Sequence, residues 1–360
     1  MRVRRVSVDA YAIPFRRPFV TSCRTITERR GFVVRLEGED GTIGVGEAAP
    51  HPLDPEAAAP GGAEAVRAAA AGLIGADTQS LAGLLEGVAS MPAWIASGVD
   101  MALHDLAARA LGRAVTELLG GSRPAAVRAS ALVDGDDDGA CARAAVAAAR
   151  AGYRTVKLKI GGDVVAARAR LQALRAAMPW LAVRADVNGG WDETTALGAC
   201  AALACLGLEW IEQPLPPGEG AALTRLRRAC ALPIAADEAV TGAGAVRELA
   251  ALGAVDAVVL KLVQVGGLAR ALEAARAAAA ADLAIAVTTS FDTSIGGAAA
   301  LHLACAVPGR LRDCGLATAS LLAGDLVRRP LAEGPVMLLP RGPGLGVELS
   351  PGALERWRAR

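Results

Sequence analysis

The sequence predicts an α/β fold: a (β/α)8-type barrel, that is, a modified TIM barrel, with an α+β capping domain. Three observations predict it. From about residue 127, short apolar strands alternate with alanine-rich helices in about eight units, the pattern of a parallel sheet closed into a barrel. Charged residues recur at successive strand ends, roughly 25 residues or one βα unit apart. Before residue 120 this alternation is missing, and a hairpin followed by helices takes its place.

Residues 3–13 read as the first strand. Residues 31–36 and 42–46 alternate on either side of Glu39-Asp40-Gly41, and Asp-Gly is a hairpin turn signal. Glycines 41, 44 and 46 are therefore turn and strand residues rather than a phosphate loop. Residues 18–27 read as a polar loop. Helical patterns cover 62–73, 79–88 and 93–111, the last with an apolar stripe through Ile95, Val99, Met101, Leu103 and Leu106. Residues 1–120 are expected to form the capping domain and 121–329 the barrel. A tail of about 330–360, rich in proline and glycine, is expected to return to the capping domain.

In the barrel, strands are expected at 127–133, 155–160, 182–186, 208–212, 234–237, 257–261 and 284–288, with the weakest at 311–315. Helices fill the gaps, and their alanine runs reflect helix propensity. Residues 134–138 hold four acids but lack the spacing of a Ca²⁺ loop, so they read as a turn leading into a helix N-cap.

Composition narrows the function. Apolar residues make up 53% of the 360 residues, which is a globular chain with ample material for a core. The formal net charge of +1 gives no reason to expect nucleic acid or an anionic membrane as partner. No long uncharged apolar run suggests a membrane span, and no apolar segment follows the basic start as a secretory signal would require. The seven cysteines are scattered, with no CxxC pair, and fit a reduced, cytoplasmic protein. His104 and His302 lie in apolar helical runs and read as core residues. A homo-oligomer is compatible with all of this.

The chain uses arginine for almost all its positive charge. Only Lys157, Lys159 and Lys261 are lysine, among 38 basic residues. Lysine differs from arginine in that it can lose its proton near neutral pH when buried. Lys157 and Lys159 share one face of a strand, a pattern an edge strand would also use against aggregation. The strand ends argue against that bland reading. The second strand ends in Lys157-Leu158-Lys159, the third in Asp186-Val187-Asn188 and the fourth in Glu212-Gln213-Pro214. The fifth ends in Asp237-Glu238 and the sixth in Lys261. All should meet at the C-terminal rim, where barrels place their active sites. Asp186, Glu212 and Asp237 would repel one another if left bare. A hard divalent cation, Mg²⁺ or Mn²⁺, resolves the repulsion. A small carboxylate bound there would lie between two amines, one of which could take the proton α to the carboxylate.

This set of motifs resembles the enolase superfamily, in particular its muconate-lactonising-enzyme subgroup. The resemblance spans nearly the whole chain and includes Val45-Gly46-Glu47-Ala48-Ala49-Pro50 in the first domain and Gly266-Gly267 after Lys261. It implies Lys159 as base on one face of the substrate and Lys261 on the other, as in a superfamily that pairs such a base with Mg²⁺. It also implies Asp186, Glu212 and Asp237 as metal ligands, supported by Lys157, Asn188 and Glu238. Substrate contacts are expected from Thr21 and Arg24 in the 18–27 loop, and from Gly267, Ser290, Asp292 and Thr293.

The run from Ser290 to Gly296, followed by Asp313-Cys314-Gly315-Leu316-Ala317-Thr318, is similar to o-succinylbenzoate synthases of menaquinone biosynthesis, although Ala317 stands where those carry glycine. That likeness implies dehydration of a cyclohexadiene carboxylate by a lyase. The alternatives in the same subgroup are an N-succinylamino acid racemase and a dipeptide epimerase. Dipeptide epimerases carry Asp-x-Asp where this chain has Asp313 and Gly315. Outside the subgroup, a Schiff-base aldolase would also need a buried lysine, but not three carboxylates. A non-catalytic metal-binding protein would keep its cation affinity without Lys159.

Overall fold

A three-stranded antiparallel sheet begins the chain: β1 (Val3–Val20), β2 (Thr25–Gly38) and β3 (Ile43–Ala48). The computed structural model describes residues 1–20, 25–52, 61–121, 125–133 and 137–359. The expected polar loop at 18–27 is mostly strand. The β1–β2 ribbon runs on to Phe19↔Ile26 and Val20↔Thr25. Prolines 14 and 18 cannot donate to the ladder, and the register shifts between Pro14 and Phe19. Pairing resumes because Phe19 and Ile26 are both buried.

Helices α1 (Gly62–Ala71), α2 (Leu81–Val88) and α3 (Ala93–Ala110) follow. The sequence suggested a one-sided apolar stripe on α3, but every residue from Ile95 to Ala108 is buried. The reason is its position: α3 packs on β2 and β3 on one side and on α10 (Leu262–Val265) and α11 (Leu268–Ala280) on the other. Glycine is required where β3 meets it, since a Cβ at Gly46 would lie 2.0 Å from the carbonyl oxygen of Gly98.

After the short α4 (Val115–Leu118), the expected strand at 127–133 is two strands. The first, β4 (Ala126–Arg128), pairs with the tail strand β13 (Val336–Leu338). The second, β5 (Ala131–Val133), starts the barrel sheet. That sheet continues in strict order through β6 (Thr155–Lys159), β7 (Ala182–Asp186), β8 (Trp210–Glu212), β9 (Ile234–Ala236), β10 (Ala257–Leu260), β11 (Ala284–Val287) and β12 (Arg310–Leu311). All eight are parallel, and the chain after β12 returns to the start. The Ser130 amide donates to the Cys314 carbonyl (2.9 Å), and the Cys314 amide donates to the Arg128 carbonyl (2.8 Å).

The connecting helices are α5 (Asp138–Arg150), α6 (Val164–Ala177), α7 (Glu193–Leu203), α8 (Gly220–Ala229), α9 (Ala243–Ala251), then α10, α11 and α12 (Ser294–Ala306). In the described part of the acidic run, Asp137 caps α5 by accepting from the Ala140 amide. The tail ends in α13 (Pro351–Arg356) and returns to β1, where Ala12 donates to the Trp357 carbonyl and Ala359 to that of Ala10. Among the described residues no helix is long and apolar enough to cross a membrane.

Candidate active site

The parallel register sets the strand-end residues side by side: Lys159 opposite Asp186, and Asp186 opposite Glu212. Alternation along β6 turns Lys157 and Lys159 to the same face, while Val156 and Leu158 are wholly buried on the other. Asp237 follows β9 directly, with its backbone held by Gln213, whose Oε1 accepts from the Asp237 and Ala239 amides at 2.9 and 3.1 Å. Lys261 follows β10 as the N-cap of α10.

Asp186, Glu212 and Asp237 are each at most 1% exposed, and each brings an oxygen within 4.8 Å of the others'. Lys157 Nζ bridges two of them, 2.6 Å from Glu212 Oε1 and 2.8 Å from Asp186 Oδ2. Asp237 Oδ2 takes the Lys261 ammonium at 2.5 Å. Asp237 Oδ1 is buried and has no hydrogen-bond partner among the described residues, and the same holds for Glu238 Oε2. Leaving such an atom bare in a dry interior is costly. Three converging buried carboxylates with an unsatisfied oxygen therefore fit a hard divalent cation, and the trio can hold one.

The electrostatics differ from residue to residue. Burial pushes Glu212 up to about 7, against the pull of Lys157. Burial also raises Asp237. At Asp186 the burial effect is outweighed by Lys157 and Lys159, which hold the group down at about 2. The lysines divide in the same way. Burial is outweighed at Lys157 by Asp186 and Glu212, and at Lys261 by Asp237, so both are held as ammonium. At Lys159 burial prevails, helped by its two fellow lysines, and its pKa is lowered. Lys159 Nζ lies 3.0 Å from Asn188 Oδ1 and 5.7 Å from the centre of the Phe19 ring. Asn188 in turn donates to Glu238 Oε1 at 3.0 Å.

These groups open into a cleft of about 270 Å³, lined by Lys157, Lys159, Asp186, Asn188, Glu238 and Lys261 at its base. Phe19, Ile26 and Phe291 line it too, and Phe15 packs against both phenylalanines. Thr288 Oγ1 and Ser290 Oγ belong to lining residues and are buried without partners among the described residues.

The expected substrate contacts divide. Ser290 lines the cleft. Thr21 and Arg24 lie outside the described residues. Gly267, Asp292 and Thr293 do not line the cleft, because each is committed to the capping domain. A Cβ at Gly267 would lie 2.5 Å from that of Asp100, while Asp292 pairs with Arg29 at 3.2 Å and Thr293 Oγ1 donates to Glu47 at 2.6 Å. Asp313 also points elsewhere: it accepts from Thr155 Oγ1 at 2.9 Å, at the opposite end of β6 from Lys159. Sequence reasoning missed the apolar wall of Phe19, Ile26 and Phe291. The signal available was Phe19 and Ile26 inside a segment otherwise read as a polar loop, and Phe291 next to Ser290.

Comparison with known proteins adds a family. Residues 4–120 match the family model described as mandelate racemase / muconate lactonizing enzyme, N-terminal domain, and residues 140–353 match enolase C-terminal domain-like. Muconate cycloisomerase 1 of Rhodococcus opacus is 36% identical over 79% of this chain and 78% of its own length. The N-succinyl-L-Arg/Lys racemase of Bacillus cereus is 26% identical over 99% and 97%. The crystal structure of a dipeptide epimerase from Enterococcus faecalis, complexed with Mg and the dipeptide L-Leu-L-Tyr, superposes with a TM-score of 0.91 at 26% identity. It covers 97% of this chain and 100% of that one.

Proposed function

This chain belongs to the enolase superfamily, in its mandelate racemase and muconate lactonizing enzyme branch, and from that premise we propose that it moves a proton at the carbon α to a substrate carboxylate. The observation that carries this reading is the pair of lysines from strands four apart in the barrel, Lys159 and Lys261, lining one cleft beside three buried carboxylates. Lys159 is the base: its Nζ lies on the neutral Asn188 amide, whereas Lys157 and Lys261 are ion-paired with carboxylates, and at Lys159 alone of the three burial is not outweighed, so its pKa is lowered. Lys261, held as ammonium, stabilises negative charge as it develops and can return a proton from the other side. Lys157 keeps Asp186 and Glu212 in place. Mg²⁺, held by Asp186, Glu212 and Asp237, would supply the positive charge that fixes the carboxylate and acidifies its α carbon. Phe19, Ile26 and Phe291 keep water from the reacting carbon.

For the substrate, the carboxylates of the described lining, Asp186 and Glu238, sit at the metal end, and Asp313 is turned away. Among the described lining residues, a free ammonium, as in a dipeptide, would find no carboxylate beside the apolar wall. An N-acylated amino acid fits better, with its acyl oxygens taken by Thr288 Oγ1 and Ser290 Oγ. Racemisation uses both lysines, and the likeness to a named racemase and a named epimerase supports it. The second reading is dehydration of a cyclohexadiene carboxylate to o-succinylbenzoate. It is favoured by Ser290, Gly315 and Thr318 lining the cleft, since these belong to the two segments with that likeness.

The test is an assay in D₂O with Mg²⁺, offering N-succinylamino acids, dipeptides, the o-succinylbenzoate precursor and cis,cis-muconate separately. Deuterium entering the α position of an N-succinylamino acid supports the first reading. Aromatic product from the precursor alone replaces it with the second. Turnover of dipeptides or muconate alone overturns both substrate assignments. Absence of α-proton exchange or turnover with every compound removes the proton-transfer proposal.

A further inference from the structure

Below the carboxylate trio the barrel interior holds an unusual filling. Trp210 on β8 is 2% exposed and is ringed by Ala235, Ala257, Ala284 and Ala286 from the next three strands. Barrel interiors are normally packed by layers of branched aliphatic side chains. Here four neighbours are reduced to methyl groups, which leaves room for one indole. The guanidinium of Arg184 lies over that indole, with its Cζ 3.9 Å from the ring centre. Arg184 is itself pinned, with Nε donating to Glu209 Oε2 and Nη1 to the Asp313 carbonyl, both at 2.7 Å.

A buried ring packed among these alanines and under a pinned guanidinium points its N–H in one direction. Trp210 and Glu212 are two apart on a strand and so share a face, and Trp210 Nε1 donates to Glu212 Oε2 at 3.2 Å. Lys157 takes the other oxygen, Oε1, at 2.6 Å. Glu212 is thereby fixed at both oxygens before any cation arrives. Groups that orient a metal ligand in this way typically change affinity ten- to a hundred-fold when removed.

We propose that Trp210 is a positioning residue for the cation site, holding Glu212 in its ligating rotamer through the indole N–H. The proposal rests on the reading of Asp186, Glu212 and Asp237 as a divalent cation site. Trp210→Phe keeps an aromatic plate against Arg184 and removes only the donor and part of the ring.

The measurement is Mn²⁺ affinity of the full chain, read by electron paramagnetic resonance, beside the Tm of the metal-free protein. The expected result is one site in the wild type and a Kd raised roughly ten-fold or more in Trp210→Phe. A packing role alone predicts a lower metal-free Tm with Kd unchanged, and that outcome overturns the proposal. A wild type that binds no Mn²⁺ overturns the cation reading and this inference with it. Should the variant not fold, the wild type still decides. Its five tryptophans give five indole N–H resonances, and Trp→Phe changes at Trp94, Trp180, Trp191 and Trp357 assign the remaining one to Trp210. Mg²⁺ should shift that resonance, and an unmoved signal overturns the proposal.

Discussion

Two buried acidic clusters in this molecule are made of the same materials and finished differently. One joins the capping domain to the barrel. There Glu47 of β3 accepts from the Tyr11 hydroxyl, the Thr293 amide and hydroxyl, and the Gly296 amide at the start of α12. The other is the trio at the barrel rim, where Asp237 Oδ1 and the neighbouring Glu238 Oε2 have no partner among the described residues. Glu47 has its oxygens taken up by donors of the fold itself, so it is structure. The trio is left short of positive charge, so it is a site. The lesson is that burial of a carboxylate does not separate the two roles, whereas the state of its remaining lone pairs does.

The comparison implies that changes at the rim cost function and spare the fold, and that changes at the Glu47 cluster do the reverse. Lys159→Arg is the most extreme case. It places a fixed positive charge near Asp186 and removes the capacity to accept a proton. Deuterium exchange at the substrate α carbon should fall by about 10³-fold or more, with Tm unchanged. Exchange near the wild-type rate would show that some other group is the base.

Glu212→Gln should come next. Losing a charged ligand is expected to weaken Mn²⁺ binding by about 100-fold or more, measurable by titration calorimetry. The metal-free fold should not suffer. A carboxylate held up to about 7 in the folded state, against about 4.3 when unfolded, opposes folding increasingly as pH rises between those values and fully above them. Removing it therefore relieves the metal-free protein at pH 8, and urea unfolding should find stability unchanged or higher. A clear loss would mean that the trio is structural after all.

Glu47→Ala should behave in the opposite way. It strands the Thr293 and Gly296 amides and the Tyr11 hydroxyl in a buried interface, at a cost of about 2–3 kcal/mol or more. The loss should be the same with and without Mg²⁺, because the cluster does not touch the cation site. A loss confined to the Mg²⁺-loaded protein would merge the two clusters into one.

The rim was legible in the sequence because the barrel repeat does the arithmetic. One charged residue per βα unit, at Lys159, Asp186, Glu212, Asp237 and Lys261, cannot fail to converge once the strands close. The capping domain has no such repeat. Asp292 and Thr293 look like substrate contacts when read beside Ser290, yet their partners Arg29 and Glu47 lie 263 and 246 residues away in the chain. Segment 127–133 reads as one strand because β4 takes its partner from the tail, at Val336–Leu338. Local pattern carries strand content, but pairing across such distances depends on how the domains pack. Trp210 is intermediate: its alternation with Glu212 is visible in the sequence, and the alanine ring that makes room for it is not.

His302 offers the smallest test and the one farthest from either cluster. It lies on α12, is wholly buried, and its Nδ1 accepts from the Thr116 amide at 3.1 Å. That bond requires a neutral ring, and burial pushes His302 down to about 4. The unfolded chain takes up a proton near pH 6.5 that the folded chain refuses until about pH 4. The histidine's contribution is thus complete above pH 6.5 and is lost progressively as pH falls toward 4. Between pH 7 and pH 5 the loss should be about 2 kcal/mol. Asp292, raised to about 6 by burial and by Glu47, and Glu212 titrate in the same window with the opposite sign, so the wild-type curve alone mixes them. The difference between wild type and His302→Gln isolates one proton, since glutamine can still accept from the Thr116 amide. Urea unfolding across that range should find the gap between the two proteins narrowing by about 2 kcal/mol on acidification. A gap independent of pH would mean that the ring is already charged in the fold, and that the Thr116 amide bond is made some other way.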